Sequence, residues 1–235
     1  MGRVKNRNYR LTIELLRQYS DAALSNATDL VQEATLLEKH GHTSRAYFLA
    51  VAALEETGKA ILAFDGQGRN ISNPEVSHRL KLVFEDHQNK IMSAFTPWLM
   101  SATDIRESVK IAMSLASDLS IGREPSMYTD IQPEGPTVQL PTDVVRNTAA
   151  VDCIRLASDS LTHAKSHVQN HSPMKMTGVE DELFSMKPDH LHKLLNTGDF
   201  WEYHIIQVEA GNNSFANSVM HYQKNYLSKR KTFKQ

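Results

Sequence analysis

The chain has 235 residues, of which 40% are hydrophobic and 23% are charged, and its formal net charge is -1. This composition allows a buried core and excludes a disordered polyelectrolyte, and the single cysteine, Cys153, excludes an intramolecular disulfide framework. No apolar run approaches the length of a transmembrane helix, and no apolar signal core follows the basic N-terminal residues. We therefore expect a cytoplasmic protein with no membrane partner.

Apolar residues spaced three and four apart predict helices along most of the chain. The first predicted helix covers residues 26 to about 39, with residues 11–15 as an earlier helix or an extension of it. The second covers residues 43 to about 64. Residues 46–54 are apolar without interruption, so they occupy the whole circumference of this helix. We expect the second helix to be central and buried.

Three more long helices follow. The third is predicted over residues 73–97, with His87 in the middle of its apolar stripe, and the fourth over residues 105–122. Residues 122–141 are rich in proline and form a long loop or a short β-hairpin around a turn-like QPEGP segment. The fifth helix is predicted over residues 142–168.

The last part of the sequence is less regular and predicts several short helices separated by proline and glycine. The pattern as a whole predicts an all-α bundle of about five main helices, with an inserted loop or hairpin. We expect the bundle to occupy residues 1–171 and a C-terminal helical extension with a basic tail to occupy residues 172–235.

Charged residues interrupt the second helix, although it is otherwise apolar. On a helical projection Arg45, Glu55, Glu56 and Lys59 fall on one stripe, and Lys59 lies within reach of both glutamates. Three interpretations remain open: the solvent edge of the helix, a buried ion pair that fixes packing, or a polar site that lines a groove.

His87 is the first candidate for acid or base catalysis. A histidine on an apolar face is either a hydrogen-bonded core residue or a general acid/base held near neutrality by burial. In the catalytic interpretation, Arg79 and Lys90 would stabilise a phosphate beside it.

The fifth helix carries a second polar stripe, formed by Asp152, Arg155, Asp159 and His163. Its histidines lack the acidic or cysteine partners of a known metal-binding pattern, so we expect neither a metal site nor a cofactor. We interpret this stripe as a helix edge that faces solvent or a dimer partner.

Several of these segments together resemble the AbiV family of abortive-infection proteins. The resemblance rests on an Asn-Ala opening, a Gly-His turn, an Arg-Ala helix start, a Glu-Glu-x-Gly-Lys signature, a His-x-x-Lys segment and a Tyr-x-Asp loop. In this sequence these are Asn26-Ala27, Gly41-His42, Arg45-Ala46, residues 55–59, His87 with Lys90, and Tyr128 with Asp130. The similarity covers about residues 20–170.

This resemblance implies a HEPN-like all-α bundle, often dimeric, that acts in bacterial defence against phage. Many HEPN proteins are metal-independent ribonucleases, with an arginine four to six residues before a histidine. Here Arg79 and His87 have seven residues between them, and so do Arg155 and His163. The first hypothesis is therefore a defence protein that binds a phage or host protein and shuts down infection, for example by blocking translation. The alternatives are a HEPN-type ribonuclease and a helical adaptor or toxin–antitoxin component.

The charge is unevenly distributed along the chain. Residues 1–19 carry +4 and residues 220–235 carry +5, which leaves the middle of the chain at about -10. An acidic bundle disfavours a nucleic-acid groove on the bundle itself. If RNA is a partner, the basic ends are the expected place for it. The expected partners are a second copy of the chain in a homodimer and a phage or host protein.

Overall fold

The computed structural model describes residues 9–132, 135, 137–229 and 231–233. Within these residues the fold is all-α with one small hairpin, which confirms the predicted fold class. The long helices are α1 (Ile13–Lys39), α2 (Thr43–Gly66), α3 (Pro74–Val83), α4 (His87–Ser101), α5 (Ile105–Arg123) and α7 (Asn147–Asn170). The shorter elements are β1 (Asp130–Gln132), β2 (Thr137–Gln139), α6 (Pro141–Val144), α8 (Gly178–Ser185), α9 (Pro188–Leu195), α10 (Gly198–Glu209) and α11 (Phe215–Asn225).

Helix α1 begins earlier than the strongest part of its sequence pattern. Thr12 is its N-cap, and its hydroxyl accepts a hydrogen bond from the Leu15 backbone N–H at 3.1 Å. Residues 13–15 therefore extend the first helix and do not form a separate one. At its other end, Gly41 adopts a positive φ of 77°, a conformation that glycine tolerates without strain.

Helix α2 lies at the centre of the bundle, as its unbroken apolar run predicted. It packs against α1, α4 and α7, and it also touches α5. Its buried residues occur on all sides of the helix and include many alanines, which allow neighbouring helices to approach closely. The core around it includes Ala50, Val51, Leu54, Ile91, Phe95, Ala112, Ala116 and Ala157.

The prediction of one helix over residues 73–97 was wrong. The structure has two helices there: α3 ends at Val83, and Asp86 caps α4, with its carboxylate accepting a hydrogen bond from the Asn89 N–H at 2.7 Å. His87 is consequently the first residue of α4, not the middle of a longer helix. Pro97 lies inside α4 and does not end it.

The fifth predicted helix is also divided. Residues 141–144 form the short α6, and α7 begins at Asn147 and extends to Asn170. Before α6, the loop contains an antiparallel hairpin in which Ile131 pairs with Val138, so the hairpin alternative is the one the structure adopts. The Ser44 hydroxyl donates to the Pro141 carbonyl at 2.8 Å and ties the start of α6 to α2.

The described residues form two compact units. The first contains the chain through Gln67 and Leu80–Pro173; the second contains Gly68–Arg79 and the described residues from Met174 onward. The second unit has its own core, built from Leu194, Phe200, Tyr203, Val219 and Tyr222. The predicted division lay at 171–172 and did not separate residues 68–79 from the bundle.

Inside the second unit, residues 68–79 are fixed by Asp181. The Asp181 carboxylate accepts from the Arg69 guanidinium at 3.1 Å and from the Asn70 backbone N–H at 2.9 Å. The Arg69 guanidinium also lies 3.8 Å from the centre of the Phe184 ring.

No helix among the described residues is long and apolar enough to cross a membrane.

Candidate functional site

Glu55, the first residue of the Glu-Glu-x-Gly-Lys signature, is the centre of a charged cluster in the first unit. Lys90 Nζ donates to Glu55 Oε2 at 2.7 Å, and His87 Nδ1 lies 2.8 Å from Oε1. Arg123 Nε also lies 2.8 Å from Oε1, as an ion pair without hydrogen-bond geometry. Three cationic or basic side chains from two other helices thus converge on one carboxylate of α2. We call these four residues the Glu55 cluster.

The inner half of the cluster is buried. Glu55 is 5% exposed and Lys90 is 4% exposed. A charge in such a position is costly unless it is paired, and here each pairs with the other. Burial by itself opposes ionisation of Glu55, but the hydrogen bond and charge of Lys90, with Arg123 and His87, outweigh it and hold its pKa below the usual range.

Burial acts in the opposite sense on Lys90. Loss of water lowers the pKa of its ammonium group more than the hydrogen bond and charge of Glu55 raise it, and nearby Lys59 and Arg123 add to the lowering. Lys90 therefore depends on Glu55 for its charged state. The pair is a tightly coupled unit inside the bundle.

Gly58 explains how α4 comes this close to α2. A Cβ atom at residue 58 would lie 1.7 Å from the Lys90 backbone oxygen, which no contact allows. The glycine of the Glu-Glu-x-Gly-Lys signature is therefore a packing requirement that places Lys90 opposite Glu55. Lys59 itself pairs with Glu56 on the partly exposed side of α2, not with Glu55.

His87 is the part of the cluster that reaches solvent. Its side chain is 48% exposed, so the burial that both sequence interpretations of His87 assumed is not found. A carboxylate only accepts hydrogen bonds, so His87 donates to Glu55 through Nδ1, and this contact fixes the orientation of the imidazole ring. His87 borders a cavity of about 350 Å³, which Arg123, Tyr128, Asp130, Ser120 and Gln139 also line.

The structure separates the other predicted residues. Arg79 lies on α3 in the second unit, where its Nε is buried without a hydrogen-bond partner, whereas the Glu55 cluster is made of first-unit residues. Arg45 is exposed in the first turn of α2, ten residues and about 15 Å along the helix from Glu55. The predicted stripe that joined Arg45 to Glu55 is therefore not one site.

The sequence interpretation missed Arg123. It is the last residue of α5, and its guanidinium lies 5.2 Å from the centre of the Phe48 ring as well as beside Glu55. One cation among 26 lysines and arginines carries no distinctive pattern. The available signal was its position, directly before the segment that carries Tyr128 and Asp130.

The second polar stripe stays outside the Glu55 cluster. Arg155 donates to Asp152 at 3.1 Å, and both are exposed on α7. Asp159 and His163 follow on the same helix and line a groove between α5 and α7.

Cys153 faces inward on α7, where burial raises the pKa of its thiol to about 12. In the described part of the chain, no group of three acidic, histidine or cysteine side chains is arranged to hold a metal ion.

The all-α helical fold fits the HEPN-like class. The chain belongs to the AbiV family within that class: the family model HEPN_AbiV, described as AbiV, matches residues 15–162. Membership implies a role in abortive infection, a defence of bacteria against phage. Searches of curated proteins and of solved structures gave no significant match.

Proposed function

We propose that this protein acts in abortive infection, in the cytoplasm, by binding a phage or host protein and shutting down infection through that contact, with blocked translation as the output. The observation that carries the proposal is the burial of Glu55 and Lys90. Glu55 accepts from Lys90 and pairs with Arg123, so both cations are committed to a carboxylate of the same chain. A site of this kind stabilises the bundle more readily than it holds a substrate phosphate.

Surface composition supports protein binding. Helix α5 exposes four large apolar side chains, namely Ile105, Ile111, Met113 and Ile121, at 44–71% of their surface. Contiguous apolar surface marks contacts with other proteins, and we propose that these side chains contribute to such a contact. The acidic balance of the bundle, by contrast, disfavours a phosphate backbone as its ligand.

The experiment is a phage challenge combined with two measurements on infected cells, namely pulse-labelled protein synthesis and RNA integrity. We expect wild type to protect, to lower protein synthesis and to leave ribosomal and transfer RNA intact. We expect His87→Ala to retain protection, because His87 supplies only one of three contacts to Glu55. Cleaved RNA in wild type, with both cleavage and protection lost in a folded His87→Ala variant, would reject the proposal.

A metal-independent ribonuclease is the second candidate, and one observation favours it. The Glu55–His87 contact orients the imidazole of His87, which lines a cavity of about 350 Å³ together with Arg123. An oriented imidazole can take the proton of a ribose 2′-hydroxyl while a guanidinium stabilises the developing charge. Lys90 is buried, so in this candidate it would act only by holding Glu55 in place. Arg79 is not among the residues that line this cavity.

Purified protein incubated with transfer RNA and total RNA tests the second candidate directly. Cleavage that is abolished by His87→Ala and unaffected by His190→Ala would support it. His190 is an exposed histidine of α9 and serves as the matched control. Intact RNA, with phage lysate also present, would reject it.

We also propose a homodimer. Helix α2 is covered by α1, α4 and α7 of the same chain, so the dimer must use other surfaces. We propose that it uses exposed apolar residues of α5, namely Ile105, Met113 and Ile121. Light scattering should give twice 26.5 kDa, and a monomer mass at all accessible concentrations would reject the dimer.

A further inference from the structure

A long groove runs between α5 and α7. Both helices pack on α4 and touch α2, but they have little direct contact with each other. The space between them has two adjoining parts of about 350 and 510 Å³, which share Leu115, Leu156 and Asp159 as walls. The Glu55 cluster lines neither part, so the groove is separate from the site described above.

The floor of this groove is apolar. Phe95 and Trp98 of α4, Leu115 of α5 and Leu156 of α7 line it, and Tyr47 of α2 closes the other end. Ile111, 44% exposed, stands at its edge. Apolar side chains from three surrounding helices therefore face a space that the described residues of this chain leave unfilled.

The rim of the groove is acidic. Asp118 projects from α5, and Asp152 and Asp159 project from α7. The basic group in the lining is Arg155, which donates a hydrogen bond to Asp152 at 3.1 Å. The other titratable side chains are His163, Tyr47 and Cys153. The lining thus carries an excess of two negative charges beside an apolar floor.

We propose that the α5–α7 groove binds an amphipathic α-helix of a partner protein, with lysine or arginine residues on both sides of its apolar stripe. The inference rests on the proposed protein-binding function and names the surface and the kind of partner. A helix laid in a groove inserts side chains at positions i, i+3, i+4 and i+7. From Ala149 to His163 the α7 wall extends about 21 Å, enough for about four turns of a partner helix.

The negative charge of the rim determines which kind of partner helix can bind in the groove. Lysine and arginine can cover an apolar floor with their methylene groups while their charged ends reach the carboxylates at the rim. A helix with acidic flanks would instead meet Asp118, Asp152 and Asp159 with like charge, which is costly at an interface. The rim therefore selects against acidic and for basic partners.

Trp98 provides a direct probe. The chain has two tryptophans, and Trp201→Phe leaves Trp98 on the groove floor as the single reporter. The probe ligands are two designed helical peptides of about 16 residues with the same leucine stripe, one flanked by lysine and one by glutamate. We expect the lysine peptide to shift and saturate the Trp98 emission, with an affinity at least tenfold above that of the glutamate peptide.

Charge reversal then tests the rim. Asp152→Lys combined with Asp159→Lys should weaken the lysine peptide at least tenfold and strengthen the glutamate peptide. Both residues are exposed, so the fold should persist, which circular dichroism checks. Asp29→Lys, at an exposed position on α1, is the matched control and should leave both affinities unchanged.

The following results would each contradict the proposed binding of a basic helix. Absence of binding by both peptides rejects the groove as a helix site, and equal binding of the two peptides rejects the acidic selection. If Asp29→Lys changes the two affinities as much as the groove variant does, the preference for the lysine peptide reflects only the overall charge of the protein. If the peptide converts a dimer to monomers, the occupant is a second copy of the chain. The titration involves no phage, so its failure rejects only the groove, whereas RNA cleavage that depends on His87 rejects only the protein-binding mechanism.

Discussion

The Glu55 cluster and the α5–α7 groove use charge in opposite ways within the same unit. In the cluster, Glu55 and Lys90 are buried and satisfy each other. In the groove, Asp152 and Asp159 are exposed and surround an apolar floor. The most recognisable charged motif of the sequence thus contributes a buried ion pair, whereas the plainer polar stripe borders the groove that we propose as a binding surface. Substitutions should therefore affect stability at the first region and recognition at the second.

Gly58→Ala should produce the largest loss of stability. Its Cβ would collide with the Lys90 backbone oxygen, so α2 and α4 would have to separate. We expect a loss of more than about 3 kcal/mol in the free energy of unfolding, or failure to fold. Urea denaturation measures it, and Gly198→Ala, where a Cβ meets nothing within 4 Å, is the control. A Gly58→Ala variant as stable as the control would show that the close packing of α2 on α4 is not required.

Glu55→Gln should cost about 3–5 kcal/mol, because it leaves the buried Lys90 ammonium without a counter-charge. Adding Lys90→Met should recover part of that loss, since the uncompensated charge is then removed. Thermal and urea unfolding of the two single variants and the double variant measure the coupling. Additive losses would show that the two residues do not act as a pair.

Acid should remove the difference between wild type and Glu55→Gln. The folded pKa of Glu55 lies below its ordinary value of 4.5, so the ionised carboxylate stabilises the fold above that value, and the contribution is lost as the pH falls through the folded pKa. The gap in unfolding free energy should be full at neutral pH and should narrow below about pH 4.5. A gap that widens in acid would contradict the assigned direction.

His87→Ala should have a smaller effect on stability, about 1 kcal/mol, because its side chain is half exposed and water replaces part of the lost hydrogen bond. Urea unfolding beside His190→Ala measures the difference. A loss as large as that of Glu55→Gln would show that His87 matters for stability as much as the buried Glu55–Lys90 pair does. The distinction between the buried and the exposed part of the Glu55 cluster would then be lost.

Asp159→Lys should leave stability within about 0.5 kcal/mol of wild type, since the residue is exposed. Its effect should appear instead in the binding of charged peptides to the groove. A large destabilisation would mean that the rim of the groove supports the fold, and the distinction between the two regions would fail.

Sequence periodicity predicted the regular part of this structure well. The unbroken apolar run at residues 46–54 identified the central helix, because only a helix covered on all sides can bury its whole circumference. The break at Asp86 escaped the same reasoning, because Val83, Phe84 and Ile91 keep helical spacing across it. A capping aspartate was visible there, but periodicity alone does not use it.

The candidate site was predictable by residue type but not by partner. Glu55, His87 and Lys90 were all identified from the sequence, yet their convergence joins α2 to α4 across 32 to 35 residues. Spacing along the sequence predicted that Lys59 pairs with Glu55 and that Arg79 lies beside His87. In the folded chain, Lys90 and Arg123 are the residues that pair with Glu55. Pairings of this kind are set by helix packing, which nearest-neighbour patterns along one helix do not contain.

The second unit is built from two stretches of chain that are far apart in sequence. Asp181 is 112 residues beyond Arg69, to which it is bound. At a synthesis rate of about 5–20 residues per second, Arg69 leaves the ribosome roughly 6–22 s before its partner exists. During translation, residues 68–79 must therefore stay unpaired while the helices that follow them are made. The second unit can therefore be completed only after the helices that follow Met174 have been made.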